Sequence, residues 1–131
     1  MDIVAATHEY EDWLAANLPA PVYTPDLDYK HERMADRADL FPFFRGTYYR
    51  WAQHWTQSAG AVAHASQVRS VCDVHVEYFG TWRDADGRLC WGVNDFDEVD
   101  DLPYTQDLVR LAASVRVGRK SRALGVKIGS A

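Results

Sequence analysis

The sequence predicts an α+β fold, and two observations carry that reading. Apolar residues recur at spacings of three and four through the first half and again over residues 106–117, which marks helices. Between them the period drops to two around an Asp-Ala-Asp-Gly turn, which marks a β-hairpin. The length, 131 residues, suits one domain. With 47% apolar and 25% charged residues the composition is that of a globular chain, and a disordered one is excluded.

Residues 6–18 read as the first helix, with Tyr10, Trp13, Leu14 and Leu18 on one face. The segment 19–25 (PAPVYTP) ends it and serves as a connector. A second helix is expected from about Asp28 through Lys30–Asp39, broken by Pro42. Residues 46–57 suit a third, with Tyr48, Trp51, Ala52 and Trp55 as a core stripe. After a small, polar stretch at 57–66 (a loop or a loose helix), Val71–Phe79 alternates. Cys72, Val74, Val76 and Tyr78 are expected inside, with Asp73, His75 and Glu77 outside. The turn at 84–87 and the run 89–93 complete the hairpin, with Cys90 near the turn and no disulfide to Cys72. An acidic loop follows at 94–101. The last helix, 106–117, places Leu108, Leu111, Ala112 and Val115 on one face, with Gly118 as its C-cap.

Several function classes fall away. No apolar run reaches the roughly 20 residues of a membrane helix. The acidic N-terminus argues against a secretion signal, and two cysteines without a metal spacing fit a reducing, cytoplasmic setting. The net charge is −5, yet the final 24 residues hold six bases and no acid. No aromatic residue interleaves with those bases, so the tail reads as a solvated helix end, and nucleic acid is not the expected partner.

Two carboxylate groups stand out. One is Asp73, His75 and Glu77. The other follows Asn94: Asp95, Asp97, Glu98, Asp100 and Asp101. Taken singly, each is a solvated polar face or loop. A hard oxygen cluster also suits Mg²⁺ or Ca²⁺, though the offsets do not match an EF-hand loop. Their order sharpens the reading. Protein-kinase-type phosphotransferases place a catalytic-loop Asp, then a hairpin, then a metal-binding Asp before Phe. Asp73, the hairpin and Asp95–Phe96 follow that order.

The stretches Tyr29–Ala52 (YKHERMADRADLFPFFRGTYYRWA), Cys72–Glu98 (CDVHVEYFGTWRDADGRLCWGVNDFDE) and Leu102–Val115 (LPYTQDLVRLAASV) resemble the bacterial family catalogued as domain of unknown function 2252. Its motifs read roughly HERM-x-SPF-x-FFR, GD-x-H-x-ENFG, NDFDE and DL-x-RLA-S, and the likeness spans about Tyr29 to Val117. Those motifs are similar to aminoglycoside-phosphotransferase-like and choline-kinase-like enzymes. The resemblance implies a partial kinase-like fold and a phosphotransferase-like function. Asp73 would be catalytic, and Asp95 and Asp97 would hold Mg²⁺ with ATP as the companion ligand and a small-molecule phosphate acceptor. Asp107 would brace the catalytic loop, with Arg110 and His75 in structural roles. Glu77, Asn94 and Arg45 would lend support.

The departures shape the expectation. Tyr78 stands where the family has Asn, and a phenol is a poor Mg²⁺ ligand. Cys72 replaces the Gly before the catalytic Asp. No Gly-rich phosphate loop is present. The expected organisation is therefore an N-terminal helix and connector (1–28), a family-like catalytic-loop domain (29–118) and a basic, disordered tail (119–131) unlike the family. The chain reads as a truncated or frame-shifted member, inactive or weakly active. The alternative is a non-catalytic interaction module or remnant. Exposed apolar surface among its five Trp, seven Tyr and five Phe would then drive self-association.

Overall fold

The computed structural model describes residues 2–18 and 24–121. Five helices and two small antiparallel sheets give the expected α+β class. Helix α1 spans Ile3–Asn17, α2 Thr24–Ala35, α3 Phe41–Gly46, α4 Tyr48–Ser58 and α5 Thr105–Gly118. Strand β1 (Gln67–Ser70) pairs with β4 (Asp100–Pro103), and β2 (Phe79–Arg83) with β3 (Leu89–Val93). Single 3₁₀ turns lie at Gly60–His64 and Val76–Tyr78.

Helices α1 and α3 start where a nearby carboxylate satisfies a free amide. Asp2 caps α1 by accepting from Ala5 N at 2.9 Å. Asp39 accepts from Phe41 N at 3.1 Å, and Pro42 occupies the first turn of α3, where its missing N–H costs nothing. Helix α2 ends at Ala35, short of the expected Asp39, because Asp36 takes the amide of Ala38 and turns the chain. Helix α1 packs across α2 and α4: Tyr10 stacks on Tyr49 at 4.5 Å, and Glu11 accepts from His31 and pairs with Lys30. Its expected apolar face is only partly covered, with Trp13 and Leu18 exposed and Ala6 and Thr7 buried instead.

The hairpin forms on the expected turn. Asp84 Oδ1 accepts from the amides of Asp86 and Arg88, and Gly87 has φ +79°, a conformation that favours glycine. Cys90 pairs with Trp82, and both cysteines are free. The first strand, however, begins at Phe79 rather than Val71. Residues 71–75 form a loop in which Cys72, Asp73, Val74 and His75 are all buried, so the in–out alternation read for this segment does not hold. The β1–β4 pair is additional to the expected elements: β4 begins within the expected acidic loop, and β1 falls on residues that carry no expected element.

The core is polar at its centre. Tyr48 and Trp55 of the α4 stripe are buried as expected. Helix α5 is turned the other way: Gln106, Arg110, Ser114 and Gly118 face inward, while Leu108 and Val115 are exposed. Spaced by four, the first three share a face, and each finds a partner. Gln106 accepts from Tyr48 Oη at 2.6 Å, Ser114 Oγ accepts from Val76 N at 3.1 Å, and Arg110 reaches Asp73. Gly118 is the last helical residue, buried, with Arg119 as the cap, so it is not the left-handed C-cap the sequence suggested. Of the expected tail, residues 122–131 lie outside the described residues. No helix among the described residues is long and apolar enough to cross a membrane.

Candidate functional site

The loop 71–75 is held from α5. Asp107 Oδ2 accepts from Val71 N at 2.8 Å and Oδ1 from Cys72 N at 3.0 Å, so one carboxylate satisfies two loop amides. Cys72 and Asp73 take φ of 65° and 23°, in the left-handed region where a side chain is strained. That kink turns Asp73 towards Arg110. The Arg110 Nε donates to Asp73 Oδ1 at 2.8 Å, and Nη2 donates both to the same oxygen and to Phe44 O, the latter at 2.8 Å.

Arg110 is 1% exposed, and the faces of Phe44, Tyr48 and Trp51 lie 4.1, 4.9 and 5.2 Å from its guanidinium. A buried charge is tolerated here because it has an anion, a carbonyl and three ring faces. Burial pushes the Asp73 carboxyl up to about 6, with Arg110 pulling the other way. Burial likewise lowers the Arg110 pKa. No hydrogen bond is made by Asp73 Oδ2 among the described residues, and Asp73 lines the cleft described next.

His75 is fully buried, edge-on to Tyr78 at 4.1 Å and to Phe41 at 5.7 Å. Its Nδ1 accepts from Glu77 N at 3.2 Å, which places its proton on Nε2. Burial lowers its pKa to about 3, so the ring is neutral. It starts the 3₁₀ turn that carries Glu77 and Tyr78.

A cleft of about 490 Å³ opens beside this loop, walled by α2, α3 and the acidic segment after β3. Asp73, Glu77, Tyr78, Asp95, Asp97 and Glu98 all line it. Residues 22 positions apart in sequence, Asp73 and Asp95, therefore face one space. Burial and a hydrogen bond to the Asp95 carboxyl push Asp97 up, and burial with the Asp97 charge does the same to Glu98. Tyr78 is buried and its pKa is pushed up by burial first and then by Asp73, so the phenol stays neutral. Arg45 bonds Glu77 at 2.9 Å within the cleft. Asn94 does not line it. Its side chain rests on Gly80, where an added Cβ would lie 2.4 Å from Nδ2.

The donor set bears on Mg²⁺. Asp95 and Asp97 are two neighbouring carboxylates on one cleft, the hard oxygen donors that a divalent cation takes. Among the described residues no group of three His, Cys, Asp or Glu side chains is gathered as a complete metal cage. Mg²⁺ is commonly held by one or two carboxylates, with water and phosphate filling the rest, and this pair fits that mode.

Some cleft residues carried no role in the sequence reading. Lys30 and Arg33 of α2 line the cleft. Their signal was present in the YKHERM run, whose helical spacing puts them on one face. The FFRG segment also gains reasons. Phe44 covers Arg110, Arg45 reaches Glu77, and Gly46 lets Met34 close in, since an added Cβ would lie 2.7 Å from its sulfur.

The family model for uncharacterized proteins conserved in bacteria, DUF2252, matches residues 25–130, and the chain belongs to that family. The matched span is wider than 29–117 at both ends and includes the basic C-terminal stretch, which therefore does not depart from the family as the sequence had suggested. No curated protein and no solved structure matches.

Proposed function

We propose that this chain carries the acceptor-activating and metal-holding part of a phosphotransferase site of the kinase-like type, with Mg²⁺ and ATP as ligands. The observation that supports it is one cleft lined by Asp73 on one side and by Asp95 and Asp97 on another, with Asp107 and Arg110 fixing the loop that carries Asp73.

Asp73 is the base in this reading. Arg110 occupies Oδ1, and Oδ2 is left to take the proton of an acceptor hydroxyl as that oxygen bonds to the terminal phosphorus and the bridging oxygen departs with the nucleoside diphosphate. A carboxyl raised to about 6 is a stronger base than an ordinary aspartate, yet ionised at neutral pH. Asp95 and Asp97 would hold the metal, which when bound neutralises phosphate charge. Neutral Tyr78 offers no equivalent of the second ligand that kinases take from Asn, so turnover by this chain is expected to be slow.

A second reading, a non-catalytic interaction module that self-associates, draws on the apolar surface. Leu89 and Trp91 of the hairpin are each 69% exposed, and Leu108 of α5 is 59% exposed.

Amide NMR with stepwise Mg²⁺ and ATP separates the two. The phosphotransferase reading expects saturable shifts near Asp73 and Asp95 that vanish in Asp95→Asn, and transfer or hydrolysis lost in Asp73→Ala. Turnover that survives Asp73→Ala, or a well-dispersed spectrum indifferent to both ligands, sinks it.

A further inference from the structure

The cleft is electrically two-sided. Asp95, Asp97 and Glu98 form one wall, while Lys30 and Arg33 of α2 and Arg45 at the end of α3 stand on the other. We propose that Lys30, Arg33 and Arg45 are the anion-holding wall of this cleft and that its ligand is a polyphosphate chain. The proposal takes its ligand class from the phosphotransferase reading and adds the residues that grip it.

Three features favour a polyphosphate. Lys30 and Arg33 are separated by three positions on α2, so their side chains emerge about 5–6 Å apart. Arg45 arrives from a different helix. Three separated cations match an extended anion better than a single phosphate. The carboxylate wall facing them repels a bare anion but accepts one that carries a divalent cation, so the two walls suit the two ends of a metal–polyphosphate complex.

The present partners of these cations are easily exchanged. Lys30 sits 3.8 Å from Glu11, Arg33 donates to Tyr29 Oη at 3.1 Å, and Arg45 bonds Glu77 at 2.9 Å. In the Arg45 pair the side chains are 45% and 30% exposed, where such a contact adds little stability. A phosphate offers Arg a bidentate, doubly charged acceptor instead. Glu77 then competes with the ligand for Arg45.

The test is calorimetric titration of the full chain with pyrophosphate in the presence of Mg²⁺, with chemical-shift mapping alongside. Expected is saturable binding that weakens about fivefold or more in Arg33→Gln and in Arg45→Gln, each lost contact being on the order of 1 kcal/mol. Glu77→Gln should bind more tightly, a gain that mere structural damage does not produce. Arg116→Gln, an exposed change on α5, should bind as the wild type does. Absence of binding, binding equally weakened by Arg116→Gln, or binding indifferent to Arg33→Gln and Arg45→Gln overturns the proposal. So does weaker binding by Glu77→Gln. The two readings fail separately. Pyrophosphate binding without any Asp95-dependent response to Mg²⁺ and ATP removes the phosphotransferase and leaves this wall standing. The reverse pattern removes the wall alone.

Discussion

Arg110 sets two nitrogens on one oxygen of Asp73, a residue 37 positions earlier, and so joins the last helix to the strained loop at the cleft. The pair is buried, with side-chain exposures of 2% and 11%. Its worth lies less in net stability than in what its loss would strand. A buried charge without its partner costs about 3–5 kcal/mol, more than the intact pair contributes over an apolar substitute.

Arg110→Met should therefore lower unfolding free energy by roughly 3–5 kcal/mol. Adding Asp73→Asn to it should recover part of the loss, because no buried carboxylate is then left alone. Urea denaturation of both single variants and the double variant measures this. Losses that simply add would mean that the two side chains do not share their energy.

Cys72 makes a different case. Its φ of 65° costs a non-glycine residue about 1–2 kcal/mol, and its side chain is fully buried. Cys72→Ala removes the sulfur and keeps the strain. Cys72→Gly removes the sulfur and releases the strain, at an entropy cost of roughly 0.5–1 kcal/mol. Contrary to the usual order, the glycine variant should melt no lower than the alanine variant. A clearly lower melting temperature for Cys72→Gly would show that the loop is not strained at this position.

These same residues show how far the sequence could be read. The run of helices, hairpin and last helix, the Asp84–Gly87 turn and the burial of Tyr48 and Trp55 follow from local chemistry, and a sequence displays local chemistry directly. Residues 71–75 do not follow from it. Their amides are satisfied by Asp107, 36 and 35 positions away, and their polar side chains are buried because α5 supplies partners. Alternation of apolar residues cannot register such partners, so a buried loop read as a half-buried strand. Helix α5 misled for the same reason: its apolar stripe is the outer one, since Gln106, Arg110 and Ser114 each answer a polar group inside. Strand β4 is only Asp100–Pro103, and its acidic start reads as solvated loop until β1 is beside it. For the candidate site, the motif order put Asp73, Asp95 and Asp97 in view. Lys30 and Arg33 share a helix face in the sequence, and they gain a role only when α2 walls the cleft.

Asp73 and His75 should also give the protein opposite responses to acid. The buried His75 keeps its second proton off until about pH 3, whereas an unfolded histidine takes one up near 6.5. Between those values the unfolded chain binds the extra proton, so this residue makes stability fall as pH falls. Asp73 has the reverse sign. Its carboxyl is raised from 3.8 to about 6, so in that interval the folded chain holds the extra proton and stability falls as pH rises. In the wild type the two slopes offset each other over their shared window, each at most about 1.4 kcal/mol per pH unit. His75→Asn keeps an oxygen acceptor for Glu77 N and removes the titration. Relative to wild type it should gain stability on acidification from pH 6 to 4. Asp73→Asn should lose stability over the same interval. Urea midpoints of the three proteins at half-unit steps of pH measure the slopes, and parallel curves would show that neither group is shifted by its burial.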